Sequence, residues 1–206
     1  MKKEPLYTIT EYLGLERASE DRHEFLDGQI HSKTSESVQH GDISVNLVGE
    51  ISAQLKGTSC RVWTKDTKVL CGSALSSDRT RTCLVAYPDL IVVCGVCHFL
   101  DKHRDVLRNP NVIIEVLSPT TEGYDRGEKF WRYRTHLTTL TDYVLVSQTL
   151  PLVEHFRRQP DCDWILSTGA GLSASLHIDS IECVLSLSEI YDRVVFPEET
   201  ELSTTE

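Results

Sequence analysis

Two acids sit where acids are costly. Glu115 lies inside the run NVIIEVL (Asn111–Leu117), between Ile114 and Val116, and Asp89 opens a second apolar run, PDLIVVC. A carboxylate taken out of water costs several kcal/mol unless a cation or a hydrogen-bonding partner compensates it. Two such acids directed at one apolar sheet predict a shared cation. A hard ion such as Mg²⁺, or Mn²⁺, takes oxygen ligands and keeps several waters, so two carboxylates with a backbone carbonyl make a suitable site. Such an ion activates a water and offsets charge on a phosphate, the chemistry of phosphodiester hydrolysis. The segment after Glu115 carries Asp125, Arg126 and Lys129, so a basic group can reach the same place.

Each residue has a plainer reading. Asp89 stands at a strand end, where an acid can face solvent. Glu115 can form a buried salt bridge to the next helix, with Arg126 as partner and no metal. Asp125 and Lys129, four apart on one helix face, can form an intrahelical ion pair of about a few tenths of a kcal/mol. Gln148 ends an apolar strand and is a candidate contact for substrate or water. Cys94-Gly-Val-Cys97 has the CxxC spacing, but no second pair follows at zinc-ribbon distance, so its cysteines read as structural. Gly123 and Gly127 form no phosphate loop.

Local signals fix the elements that must hold these residues. Thr8 followed by Glu11 is a capping box, predicting a helix from about Ile9 to Ala18. HEFL and QIHSK flank Asp27-Gly28, a hairpin turn. Ile43, Leu47, Ile51 and Leu55 recur every four residues and Gly57 follows as a stop, so a longer helix spans them. CRVWTKDTKVL reads as one strand with Val62, Thr64, Asp66 and Lys68 on one face. From Cys71 to Cys83 the composition suits a surface loop. PDLIVVC, NVIIEVL and DYVLVSQ read as strands, with a helix from about Thr121 to Thr135 between the last two. LVEHFRRQ and CDWILST form a hairpin around Pro160-Asp161. Strands interleaved with few helices predict an α/β (α+β) fold, a mixed sheet with helices on both faces.

The 206 residues, 40% apolar and 25% charged, suit one globular domain over 1–196, with an acidic tail at 197–206 expected to be disordered. No apolar segment follows the lysines of MKKEP, and none reaches the roughly 18 residues of a membrane span. Seven cysteines (60, 71, 83, 94, 97, 162 and 183) in no disulfide-framework spacing suit a reducing cytoplasm. The net charge of −10 argues against tight non-specific binding to nucleic acid, which leaves a basic footprint. Basic residues do cluster, at Lys102, His103, Arg104 and Arg108, at Arg126, Lys129, Arg132 and Arg134, and at Arg157-Arg158. Each cluster also reads as solvated surface.

YTITEYLGLE (Tyr7–Glu16), RHEFLDGQI (Arg22–Ile30), YPDLIVVCG (Tyr87–Gly95), NVIIEVLSPTTEGYDRGEKF (Asn111–Phe130) and YVLVSQ (Tyr143–Gln148) together resemble the Uma-two family of bacterial proteins. The resemblance runs from about Tyr7 to about Phe196. It implies the restriction-endonuclease-like fold of the PD-(D/E)xK nucleases, here with an added N-terminal helix and hairpins. It further implies a metal-dependent endonuclease acting on DNA, as a candidate homodimer, with Asp89 and Glu115 on the metal. Glu24 matches an acidic family position that would complete the metal shell, and His40 falls where the family often has His. The family pattern asks for a lysine two residues after Glu115, where this chain has Leu117. Lys129 on the following helix is the relocated candidate and Lys68 the second choice. A different reading is a non-catalytic nucleic-acid-binding or regulatory protein that keeps the fold.

Overall fold

The Thr8 hydroxyl accepts from the Glu11 N–H (3.2 Å) and the Glu11 carboxylate accepts from the Thr8 N–H (2.7 Å), so the predicted capping box starts α1 (Ile9–Glu16). The structure is a computed structural model describing residues 6–33, 36–73 and 82–196. β1 (His23–Leu26) and β2 (Gln29–Ser32) pair across Asp27-Gly28, whose φ angles of 48° and 92° meet the two positive values of a type I′ turn. α2 (Val38–Gln54) buries Ile43, Leu47 and Ile51 along one face.

The run expected as one strand is two. Thr67 N–H closes a turn on Thr64 O (2.9 Å), so Lys65-Asp66-Thr67 divides β3 (Cys60–Thr64) from β4 (Lys68–Gly72), and the two join different sheets. Asp and Thr favour turns because their side chains bond nearby backbone, and this local preference overrides the period-two pattern. β5 (Cys83–Ala86), β6 (Leu90–Cys94), β7 (Val106–Leu107) and β8 (Val112–Leu117) follow. The predicted helix after Glu115 is continuous but not uniform: α3 (Glu122–Tyr124), a π-helical turn (Asp125–Lys129) and α4 (Phe130–His136). β9 (Asp142–Ser147) leads into the hairpin of β10 (Leu152–Arg158) and β11 (Trp164–Ala170). The hairpin of β12 (Ser175–Ile178) and β13 (Cys183–Ser186), then α5 (Leu187–Ile190), close the chain.

The mixed α/β architecture is as expected, with its strands divided among three sheets. One has order β2-β1-β5-β4-β7, another β11-β10-β9-β8-β6-β3, and β12-β13 stand alone. The strand alternation makes the layers. Leu90, Val92, Val112, Ile114 and Val116 turn one way, against α2 and the β12–β13 hairpin. Ile91, Val93, Ile113 and Leu117 turn the other way, against Val69, Leu84 and Ala86 of the five-stranded sheet and the α4 residues Phe130 and Tyr133. α1 covers the outer face of the five-stranded sheet through Ile9, Tyr12 and Leu13.

Cys60 lies opposite Cys94 in the β3–β6 register and the two form a disulfide, where free thiols were expected. They stand 34 residues apart in sequence, so spacing gave no sign of it. Cys71, Cys83 and Cys183 are buried free thiols, as small apolar residues would be. Most of the predicted Cys71–Cys83 loop (74–81) and the acidic tail (197–206) lie outside the described residues. Among the described residues no helix is long and apolar enough to cross a membrane.

Gly72 ends β4 at φ 100°, and a Cβ there would meet Thr82 O at 2.5 Å. Gly72→Ala combines strained backbone with a backbone clash, and we expect it to lower stability by about 1–3 kcal/mol in urea unfolding. An unchanged midpoint would remove the close approach of β4 to β5.

Candidate active site

Asp89 is placed by a corner. Tyr87-Pro88-Asp89 carries the chain from β5 in one sheet to β6 in the other. Tyr87 anchors that corner at three points: its N–H donates to Glu24 (3.1 Å), its hydroxyl donates to Glu16 (2.6 Å), and its carbonyl accepts from Lys33 Nζ (2.9 Å). Asp89 is 5% exposed. Its Oδ2 accepts from the Val116 N–H (2.8 Å) and lies 3.1 Å from His40 Nε2, while Oδ1 lies 3.6 Å from Lys33 Nζ. Burial acts to raise this carboxyl, yet His40, Lys33 and the Val116 N–H together hold it below the usual carboxylate range.

Glu115 follows from the alternation of β8. It points with Ile113 and Leu117 into the space between the sheets and is 2% exposed. Its partner is Lys129, with Nζ 3.1 Å from Oε1; Arg126 is instead bound to Glu122 (2.8 Å) and Glu154, which corrects the alternative pairing. Leu117 occupies the next position on the same face and packs with Phe130 and Tyr143. The place a strand lysine would take is therefore filled with core, and the ammonium enters from the helix.

The π-helical turn makes that entry work. Both Asp125 and Lys129 are buried, and they approach to 3.1 Å. The Tyr143 hydroxyl donates to the Asp125 carbonyl (2.8 Å), holding the turn against β9. Glu24 completes the group 3.5 Å from Lys129 Nζ, and the ammonium lies 5.6 Å from the Tyr124 ring centre.

One ammonium thus serves three carboxyls. Burial works against the Lys129 charge, but Glu115, Glu24 and Asp125 outweigh it and hold the proton well above the ordinary lysine value. Burial pushes Glu115 up to about 8; Asp125 and Asp89 push the same way and Lys129 opposes. Burial thus favours the protonated acid at Glu115, while the carboxyls around Lys129 favour its charged form.

These groups line one cavity of about 550 Å³. Of the residues singled out from sequence, Asp89, Glu115, Lys129, Glu24, Asp125, His40 and Gln148 all face it. Lys68 does not: on β4 its Nζ bonds Asp105 (3.1 Å) and sits over the Tyr87 ring. Gln148 accepts from Ser37 Oγ (2.5 Å), and Ser37 also caps α2 by accepting from the His40 N–H (3.1 Å). Lys33, Glu36 and Tyr124 line the cavity without having been foreseen. Glu36 and His40, four apart across the helix start, carried a detectable signal; Lys33 had none beyond its place after the hairpin. Ligand-type atoms of Glu36, His40 and Asp89 fall within 4.8 Å of one another. Glu24, expected in a metal shell with Asp89, is taken up by Lys129 and Tyr87.

Residues 9–188 match the Uma2 family, described as "Putative restriction endonuclease". The chain is similar to the uncharacterized protein slr1290 of Synechocystis sp., with 32% identity over 93% of this chain and 95% of that one. A second uncharacterized Synechocystis protein, sll1609, is 28% identical over 83% of this chain and 92% of its own. A crystal structure from Anabaena variabilis, described as a "putative nuclease", superposes with a TM-score of 0.71 at 18% identity, covering 91% of this chain and 99% of that one, and so shares the fold.

The Glu115 proton has a measurable consequence. Its folded value of about 8 lies above the roughly 4.3 of an unfolded glutamate, so the folded protein keeps a proton that the unfolded chain releases. The stability this supplies is complete below about pH 4.3 and is lost as the pH rises through about 8. In metal-free buffer the parent protein should lose stability relative to Glu115→Gln between about pH 5 and about pH 8. Parallel pH profiles of the melting temperature for the two proteins would place the proton elsewhere.

Proposed function

The chain belongs to the Uma2 family, and on that premise we propose that it is a divalent-metal-dependent endonuclease that hydrolyses phosphodiester bonds of DNA. The supporting observation is the convergence of Asp89, Glu115 and Lys129 in one buried cavity between the two sheets. The donor set fits a hard cation. Asp89 Oδ1 is buried with no hydrogen-bond partner among the described residues, and Asp125 Oδ1 meets Lys129 at ion-pair distance without hydrogen-bond geometry. Orphaned oxygens of this kind are what a cation with its waters satisfies.

Asp89 and Glu115 would hold Mg²⁺ or Mn²⁺, which when bound lowers the pKa of a water and offsets charge on the phosphate. Glu115 releases its proton to become a ligand, so binding strengthens as the pH rises toward about 8. Lys129, kept charged by its carboxyl neighbours, directs an ammonium at the place where negative charge grows during attack. Asp125 and Glu24 fix that ammonium from two sides. Lys33, beside Asp89, supplies a second positive charge toward the phosphate.

Leu117 in the lysine position and a charge of −10 favour a second reading, a non-catalytic nucleic-acid-binding or regulatory protein with the nuclease fold. Plasmid cleavage separates the two. Millimolar Mn²⁺ should raise the melting temperature, and Asp89→Ala should abolish that rise. Glu115→Gln should end cleavage. Lys129→Met should lower it at least about a hundredfold, the scale of losing one transition-state donor, while the Mn²⁺-dependent rise survives. Lys68→Met should change little. Stabilisation by Mn²⁺ with no cleavage of plasmid or single strand would favour the second reading, and neither effect would end the metal-site assignment.

A further inference from the structure

His40 is 5% exposed in the first turn of α2, and its two ring nitrogens stand in different situations. Nε2 lies 3.1 Å from Asp89 Oδ2 in a hydrogen bond. A carboxylate oxygen accepts, so Nε2 is the donor in this pair. Nδ1 has no hydrogen-bond partner among the described residues. The atom that faces it is Glu36 Oε2 at 3.4 Å, again an acceptor. Nδ1 and the Glu36 carboxylate therefore face each other at the cavity wall without a hydrogen bond, with the equally unbonded Asp89 Oδ1 close by.

We propose that Glu36 and His40 form a second divalent-cation site, oriented by Asp89, that takes a nitrogen-accepting first-row ion (Mn²⁺, Co²⁺ or Zn²⁺) in preference to Mg²⁺. A metal-bound histidine characteristically donates its other N–H to a carboxylate, which fixes the tautomer and the ring plane, and the Asp89–His40 bond does this. Mg²⁺ keeps to oxygen donors, whereas imidazole suits the later ions. Lys65, 40% exposed, is ion-paired to Glu36 and occupies the anion when no metal does; its stem lets it withdraw to solvent. The site uses neither Glu115 nor Lys129, and it stands or falls apart from hydrolysis.

The test uses the full chain stripped of metal. Mn²⁺ bound to the parent should show nitrogen hyperfine coupling by pulsed electron paramagnetic resonance, and Co²⁺ should give d–d absorption bands. His40→Ala should abolish the coupling. Glu36→Gln, at a partly exposed side chain that leaves the core untouched, should weaken Co²⁺ binding at least about tenfold. Lys65→Gln should tighten it by removing the competing ammonium. Glu115→Gln should leave the nitrogen coupling intact, whatever it does to cleavage or to Mg²⁺ binding. Mn²⁺ bound to the parent without nitrogen coupling, or Co²⁺ affinity unchanged in Glu36→Gln, would overturn the site. Coupling lost in Glu115→Gln would overturn it too, by reducing the two positions to one.

Discussion

A single buried ammonium is what lets the acids exist where they do. Glu115, Asp125 and Lys129 are each at most 4% exposed, and Glu24 is 9% exposed. Without Lys129 their charges would have no counterpart inside the protein; removing one member of such a buried set typically costs about 3–5 kcal/mol. The same arithmetic bears on Glu115. One positive charge among three carboxyls leaves an excess of negative charge, and burial raises the proton affinity of Glu115, the most enclosed of the three. The π-helical turn, the Tyr143–Asp125 bond and the packing of Leu117 all bring Lys129 to that point. Irregular helix turns of this type concentrate at functional sites.

Elements coded by neighbouring residues could be read from the sequence. The Thr8–Glu11 box, the Asp27-Gly28 turn, the Ile43-to-Leu55 stripe and the strands around Asp89 and Glu115 all depend on residues a few places apart. The pairing of Asp89 with Glu115 followed from the cost of burying charge, and Lys129 from the family pattern once Leu117 filled the lysine position. What remained hidden is set by the stacking of two sheets. His40 meets Asp89 across 49 residues, and Lys33 meets the Tyr87 carbonyl across 54, so no spacing announces either contact. Arg126 and Lys129 lie three apart on one helix, and spacing alone does not say which of them reaches Glu115. The break at Lys65-Asp66-Thr67 was visible as turn chemistry but was masked by the β-rich residues on either side.

Arginines of two of the three basic clusters are tied into the fold, while Lys102, His103, Arg104 and Arg108 are exposed. Arg132 is buried between Asp27 (2.5 Å) and Glu128 (2.6 Å), Arg157 is paired with Asp179 (2.6 Å), and Arg158 donates to the carbonyls of Arg134 and Thr138. Inside the concavity Lys33 and Lys129 are matched against Glu24, Glu36, Asp89, Glu115 and Asp125, so the recess carries more carboxyls than ammoniums. A bound cation would be needed to offset that excess before a polyanion could approach.

The corner at Tyr87-Pro88-Asp89 gives the molecule a mechanical property. Glu24 belongs to one sheet, Asp89 and Glu115 to the other, and Lys129 reaches both from the helix packed between them. Sliding of one layer over the other would part Glu24 from Lys129 and pull on the anchored Tyr87, so the alignment of the pocket depends on the seam between the layers staying closed.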